Sequence, residues 1–192
     1  MKRLSSLVLA IFGLTVVSGI YAADQDKKAI EKKIKNAESA APHSVAAKAT
    51  IMDWPAKEGG ESVTLRKGTN GWTCFPDMPS TKGNDPMCLD AQWMEWADAW
   101  MHKRDPKITG LGIGYMLQEN AEESNTDPFA TKATADNEWM KGVPHVMLLV
   151  PDAKMLDGMP VHPDQGGPWV MWRNTPYVHV MAPMPPGMIK KQ

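Results

Sequence analysis

The chain has 192 residues, of which 21 are basic and 22 acidic, so its formal net charge is −1. A nearly neutral chain lacks the basic excess that attracts phosphates, and binding to nucleic acid is therefore not expected. The length fits one domain around a single core.

The N-terminal residues have the pattern of a secretory signal peptide. Lys2 and Arg3 precede an apolar run over residues 7–20, and Ala22 follows it as a small residue at a cleavage position. We predict a signal peptide over residues 1–22. No later segment has the roughly 18 consecutive apolar residues of a membrane helix, so we expect a periplasmic or secreted protein without membrane insertion after cleavage.

A charged helix is predicted next, over residues 25–41. Its apolar positions are three or four residues apart and form only a narrow stripe, which is typical of a helix at the surface. These positions are Ile30, Ile34, Ala37 and Ala41. We therefore divide the mature chain into an N-terminal helix and linker, 23–43, and a single globular domain, 44–192.

Three short segments then have the alternating pattern of strands. They span residues 48–54, 61–67 and 71–76 and are separated by turn residues, including Asn70-Gly71, which favours a tight hairpin turn. The pattern predicts a three-stranded antiparallel meander.

The two cysteines, Cys74 and Cys88, are predicted to form a disulfide. An exported chain meets an oxidising compartment, and two cysteines allow a single intramolecular pairing. The alternative is a Cu(I) site in which reduced thiolates act together with Met78 and Met87, because sulfur ligands suit Cu(I).

A tryptophan-rich helix is predicted after Cys88. Asp90 suits its N-cap, and Trp93, Trp96 and Trp100 recur at helical spacing on one side. Three indole rings on one face are too much apolar surface to leave in water, so the helix must pack against another element.

The following segment, 108–118, is predicted to be a strand with a face made of glycines. Gly110, Gly112 and Gly114 alternate with larger residues, so they share one side of the strand. We expect the tryptophan helix to pack over this side. The glycines do not form a dinucleotide-binding motif, since a helix does not follow them directly.

The rest of the chain is predicted to contain a long polar surface segment, 119–142, followed by three strands. The strands cover residues 144–151, 168–172 and 176–183, and a short helix lies after the first of them. The fold class is therefore α+β, with an antiparallel sheet of about five to seven strands and a Trp-rich helix packed on one face.

Two of these strands share the tripeptide His-Val-Met, and its outer residues point to the same face of a strand. The residues are His145, Met147, His179 and Met181. If the strands are neighbours, two imidazoles and two thioethers would form a Cu(I) site. The alternative is that the methionines fill space around bulky rings, in which case no cofactor is expected.

Enzyme motifs such as GxSxG and HExxH do not occur in the sequence, so no catalytic residue is assigned. A small hydrolase is still an alternative, in which His145, His179 or His102 would act with a carboxylate such as Asp127.

Four segments, "GTNGWTC", "GNDPMCLD", "SNTDPFAT" and "GGPWVMW", resemble segments of a family of small exported bacterial proteins without an assigned function. This resemblance covers most of residues 48–183 and implies no activity and no site residue. The function expected from the sequence is a non-catalytic module that binds a small ligand or an envelope protein through a surface rich in tryptophan and methionine. Its candidate ligand-binding residues are Trp93, Trp96, Trp100, Trp169 and Trp172.

Overall fold

Eight strands form one mostly antiparallel sheet in the computed structural model, which describes residues 15–57, 60–165 and 167–184. In chain order, the strands are β1 (Thr50–Asp53), β2 (Val63–Arg66), β3 (Thr73–Phe75), β4 (Met87–Leu89), β5 (Gly112–Met116), β6 (Glu122–Ser124), β7 (Trp139–Lys141), β8 (His145–Leu149), β9 (Trp169–Met171) and β10 (His179–Pro183). The order in the sheet is β2-β1-β3-β4-β5-β8-β10-β9, and β6 pairs with β7 in a separate sheet. The mixed class is as predicted, but the large sheet has more strands than expected.

Helices are few. They are α1 (Thr15–Glu38), α2 (His43–Ala46), α3 (Ala91–Met101) and two 3₁₀ turns, Ala153–Leu156 and Pro163–Gln165. No described helix is long and apolar enough to cross a membrane. Most of the predicted signal peptide, residues 1–14, lies outside the described residues. The chain divides into two compact units between Lys32 and Lys33, and the sheet belongs to the second.

The predicted antiparallel meander of β1, β2 and β3 is wrong, because β1 pairs antiparallel with β2 but parallel with β3. The cause lies at Gly68, where a Cβ would stand only 2.1 Å from the backbone nitrogen of Thr50. A residue without a side chain lets the chain leaving β2 cross closely over the start of β1. It then returns on the other side of β1, and Trp72 accepts a hydrogen bond from the Thr50 N–H.

The predicted disulfide between Cys74 and Cys88 is confirmed. Cys88 lies in β4, directly opposite Cys74 in the antiparallel pair β3–β4. Both cysteines are fully buried. Since the sulfurs are bonded to each other, thiolate ligands for Cu(I) are not present at this position.

Helix α3 packs over the glycine side of β5, as predicted, through Gln92 and Trp93. A Cβ on Gly112 would stand 2.9 Å from the Cβ of Gln92, and one on Gly114 would stand 3.4 Å from Cδ1 of Trp93. Trp96 and Trp100 pack elsewhere. Gly110 precedes the strand, and a Cβ there would meet nothing within 4 Å.

The two faces of the large sheet carry separate apolar cores, because successive strand residues point to opposite sides. The α3 side contains mainly aromatic residues, methionine and leucine. On the other side, the cysteines pack with small residues from the end of α1, from the turn that follows it and from α2, among them Ala37 and Ala40, which are fully buried. The part of α1 that follows Lys32 is therefore a core element and not the surface helix predicted from its charge.

The predicted surface segment 119–142 contains the β6–β7 hairpin and several buried polar residues, including Glu119, Ser124 and Asn125. Asn125 explains why a polar sequence is buried here. Its side chain accepts a hydrogen bond from Trp169 Nε1 at 3.0 Å and donates to Glu138 and to the Val161 carbonyl, both at 2.8 Å. Buried polar groups are tolerated when they are paired in this way.

Candidate functional site

The imidazole of His179 lies among the rings of Trp93, Trp96, Trp172 and Tyr177, which we call the aromatic cluster. Its ring centroid is 5.3 Å from that of Trp93, 5.5 Å from that of Trp96 and 5.1 Å from that of Trp172, edge-on in each case. Edge-to-face contacts of this kind are the preferred geometry of aromatic pairs. Helix α3 supplies Trp93 and Trp96. Trp172 follows β9, Tyr177 precedes β10, and His179 is the first residue of β10.

Trp172 has a strained backbone. Its φ is 52°, in the left-handed region that bulky residues rarely adopt. In this conformation the indole stacks on Trp96 with 5.6 Å between ring centroids, and its Nε1 donates to the Ser124 carbonyl at 2.6 Å. Strain of this kind costs about 1–3 kcal/mol and is concentrated at functional sites.

Two indole N–H groups of the aromatic cluster, Trp93 Nε1 and Trp96 Nε1, are buried and have no hydrogen-bond partner among the described residues. Other indoles do have one. Trp54, Trp100, Trp169 and Trp172 each donate to a carbonyl or amide oxygen at 2.6–3.0 Å. A buried donor without an acceptor costs about 1–3 kcal/mol, so two of them on neighbouring rings need an explanation.

The tryptophans predicted to bind a ligand at the surface are mostly interior residues. Trp93 and Trp169 are 2% exposed and Trp96 is 8% exposed, while Trp100 and Trp172 are half-buried. Trp100 stacks on Phe129 with 6.0 Å between centroids, at the outer edge of this core. The predicted set therefore splits: three of its members belong to the aromatic cluster, and Trp100 and Trp169 lie outside it.

The His-Val-Met strands β8 and β10 are antiparallel neighbours, as the Cu(I) hypothesis required. Met147 lies opposite Met181, and His145 lies opposite Pro183. All four histidines and methionines of the two tripeptides are buried on the α3 side. The antiparallel register nevertheless separates the imidazoles, because His145 and His179 are at opposite ends of the paired segment.

Both buried imidazoles are held by backbone carbonyls. His145 Nδ1 lies 2.7 Å from the Val143 carbonyl oxygen, and His179 Nδ1 lies 3.0 Å from that of Tyr177. A carbonyl can only accept, so Nδ1 carries the proton in both rings and Nε2 carries the lone pair. Burial lowers the pKa of each histidine to about 4, so both are neutral at pH 7.

His145 Nε2 is buried and has no hydrogen-bond partner among the described residues. Within the same part of the chain, no group of three or more His, Cys, Asp or Glu side chains is arranged to hold a metal ion. Methionine thioethers are not part of that donor set. Any metal at His145 would therefore have to be one that accepts sulfur ligands.

The histidine–carboxylate pairs of the hydrolase alternative are different from those expected. His102 Nδ1 lies 3.2 Å from Asp98, and His162 Nδ1 lies 3.1 Å from Glu138, with both histidines at the surface. Asp127 instead accepts a hydrogen bond from the backbone of Phe129. Both pairs are partly exposed and lack the buried environment that would indicate acid–base catalysis.

A group of buried carboxyls was not found from the sequence. Burial, reinforced by neighbouring carboxylates, raises the pKa of Glu119 to about 8 and that of Glu123 to about 7, and burial also raises the pKa of Asp85. The Glu119 carboxylate accepts a hydrogen bond from the Ala121 N–H at 2.5 Å. These residues lie in polar runs that are typical of solvated loops, so the sequence carries no signal of their burial.

Searches of family models, curated proteins and solved structures found no match to this chain.

Proposed function

We propose that the protein is an exported, non-catalytic module that binds a small organic ligand at the aromatic cluster. One observation carries the proposal: the N–H groups of Trp93 and Trp96, whose ring centroids are 4.9 Å apart, are buried and have no acceptor among the described residues. The sequence suggested either a small ligand or an envelope protein as the partner, and we propose the small ligand. A protein surface cannot reach donors that lie beneath the outer side chains, whereas a small molecule can.

The ligand has an apolar, planar body and a hydrogen-bond acceptor. The planar body is favoured by the parallel rings of Trp96 and Trp172, whose planes differ by 6°. The acceptor is required by the two indole N–H groups, which can only donate.

Trp172 is the cover of the site. Its ring is half-buried and is held by the Ser124 carbonyl in a strained backbone conformation. Strain at this residue lowers the cost of moving the ring, so ligand entry can use this path. The Cys74–Cys88 disulfide favours a periplasmic or extracellular location, since such bonds persist in these compartments.

The proposal is tested by titration calorimetry and thermal unfolding with two probes that share a ring system. 2-Naphthoate presents an acceptor, and 2-naphthylmethylammonium presents donors only. We expect 2-naphthoate to bind the parent protein and to raise its unfolding temperature, because a ligand that binds only the folded state stabilises it. The ammonium probe should bind at least about tenfold more weakly.

Trp96→Phe keeps an aromatic ring and removes the N–H donor, so it should weaken 2-naphthoate binding by about tenfold. The matched control is Trp139→Phe, a half-buried indole of β7 outside the aromatic cluster. Equal affinity of the parent and Trp96→Phe, or a preference for the ammonium probe, would contradict the proposal.

A further inference from the structure

We propose that His145 and the thioethers of Met116, Met147 and Met181 form a Cu(I) site, which we call the His145–methionine patch. The inference is independent of ligand binding at the aromatic cluster. It differs from the site expected from the sequence, in which His179 was the second imidazole.

The imidazole of His145 is held in an orientation that suits a metal ligand. Its Nδ1 donates to the Val143 carbonyl at 2.7 Å, which fixes the tautomer and leaves the Nε2 lone pair free. The residue is 1% exposed, and Nε2 has no partner in the described part of the chain. A buried lone pair without a donor is costly, and a cation would remove that cost.

The sheet register places thioethers on both sides of this imidazole. Met116 of β5 lies directly opposite His145, and Met181 of β10 lies opposite Met147, which is two residues from His145 on the same strand face. Directly opposite residues have Cβ atoms about 4.5–5.5 Å apart, so flexible thioethers can reach a common point. The four side chains occupy three adjacent strands.

Gly114 explains how Met147 turns towards β5. The Met147 Cε lies 2.8 Å from the point where a Cβ on Gly114 would stand, so the thioether occupies space that any other residue would fill. Gly114 and Met116 are on the same side of β5, so the Met147 thioether lies over the strand face that also carries Met116.

The donor set selects a soft monovalent metal. Thioether sulfur with one imidazole suits Cu(I), whereas Ca²⁺ and Mg²⁺ require oxygen ligands. Zn²⁺ is usually held by thiolate, imidazole and carboxylate, and the described residues show no such group. His179 is not a ligand, because it lies at the other end of the β8–β10 pairing, among the rings of the aromatic cluster.

The site is tested with Cu(I) itself, under anaerobic conditions and in competition with the chromophoric chelator bicinchoninate. The parent protein should remove one equivalent of Cu(I) from the chelator and should unfold at a higher temperature when loaded. Met116→Leu, Met147→Leu and Met181→Leu nearly conserve volume and delete a sulfur donor. Each should weaken Cu(I) binding by about tenfold or more while the unfolding temperature of the metal-free protein changes little.

Met171→Leu is the matched control, because Met171 is a methionine of the same core, 1% exposed, that lies opposite His179 and not beside His145. It should bind Cu(I) as the parent does. His145→Gln should also lose affinity, and the methionine variants keep the test valid if that variant does not fold. No competition with bicinchoninate, or equal affinity in all the methionine variants, would overturn the proposal; the second result would assign the metal to other residues.

Discussion

Asp90 connects helix α3 to strand β5 through one carboxylate. Its Oδ1 accepts the backbone N–H of Trp93 at 2.9 Å, which caps the helix, and its Oδ2 accepts the N–H of Ile113 at 2.6 Å. The backbone N–H of Asp90 in turn donates to the Ile113 carbonyl. A single side chain thus sets the position of the tryptophan helix over the sheet.

Asp90→Ala should therefore destabilise the protein by about 2 kcal/mol or more, because it removes a helix cap and leaves the Ile113 N–H without its acceptor. Urea denaturation followed by circular dichroism measures the change. Asp152→Ala is a suitable control. Asp152 is exposed and caps only the 3₁₀ turn, through the Lys154 N–H, so its loss should cost clearly less. Equal losses in the two variants would contradict the connecting role of Asp90.

Gly112→Val tests the close contact between α3 and β5. A side chain at this position would meet the Cβ of Gln92 at 2.9 Å and the Cβ of Leu149 at 3.1 Å, both on packed elements that cannot easily move. We expect a loss of about 1–3 kcal/mol in the free energy of unfolding, since overpacking forces these elements apart.

Gly110→Ala is the control for Gly112→Val, because a Cβ at Gly110 would meet nothing within 4 Å. Its effect should lie within about 0.5 kcal/mol of zero. If both variants were equally stable, α3 would not lie against β5 at Gly112.

The tryptophan helix and the C-terminal strands could be predicted because their signals are local. Helical spacing over residues 91–101 and short apolar runs opened by proline require no knowledge of distant residues. The parallel pairing of β1 with β3 could not be predicted in the same way. It depends on where the chain crosses at Gly68, and a glycine next to a turn is equally compatible with a simple hairpin.

The candidate sites, too, could be predicted only as far as local sequence patterns allow. The spacing of His145 and Met147 places them on one strand face, and this much follows from the sequence. The register between strands decides which residues lie opposite them. It places Met116 opposite His145, and it places His179 at the other end of the β8–β10 pairing from His145. The unpartnered donors of Trp93 and Trp96 depend on three-dimensional packing, for which the sequence carries no signal.

The disulfide should contribute strongly to stability. Cys74 and Cys88 are 14 positions apart in the sequence and are fully buried. Replacing both by alanine should lower the free energy of unfolding by about 3 kcal/mol, the value expected for a closed loop of this length. Mass spectrometry of alkylated, unreduced protein should detect no modified thiol. Alkylation of both cysteines in the folded, unreduced protein would contradict the bond.

Stability should fall as the pH rises from about 4.5 to about 8, because of Glu119 and Glu123. Burial raises their pKa values to about 8 and about 7, whereas both side chains titrate near 4.5 when exposed. Between these values the folded protein binds more protons than the unfolded chain, so the free energy of unfolding decreases with increasing pH. The stabilisation by the protonated carboxyls is fully present below about pH 4.5 and is lost as the pH rises through about 7 to 8.

Glu119→Gln is the variant that tests this pH dependence, because a neutral amide can replace the protonated carboxyl and cannot ionise. The parent protein should lose several kcal/mol between pH 5 and pH 9 in urea denaturation, and the variant clearly less. Glu122→Gln, at an exposed position three residues away, should behave as the parent does. Parent stability that is constant or that rises between pH 5 and pH 9 would show that Glu119 is ionised in the folded protein at neutral pH.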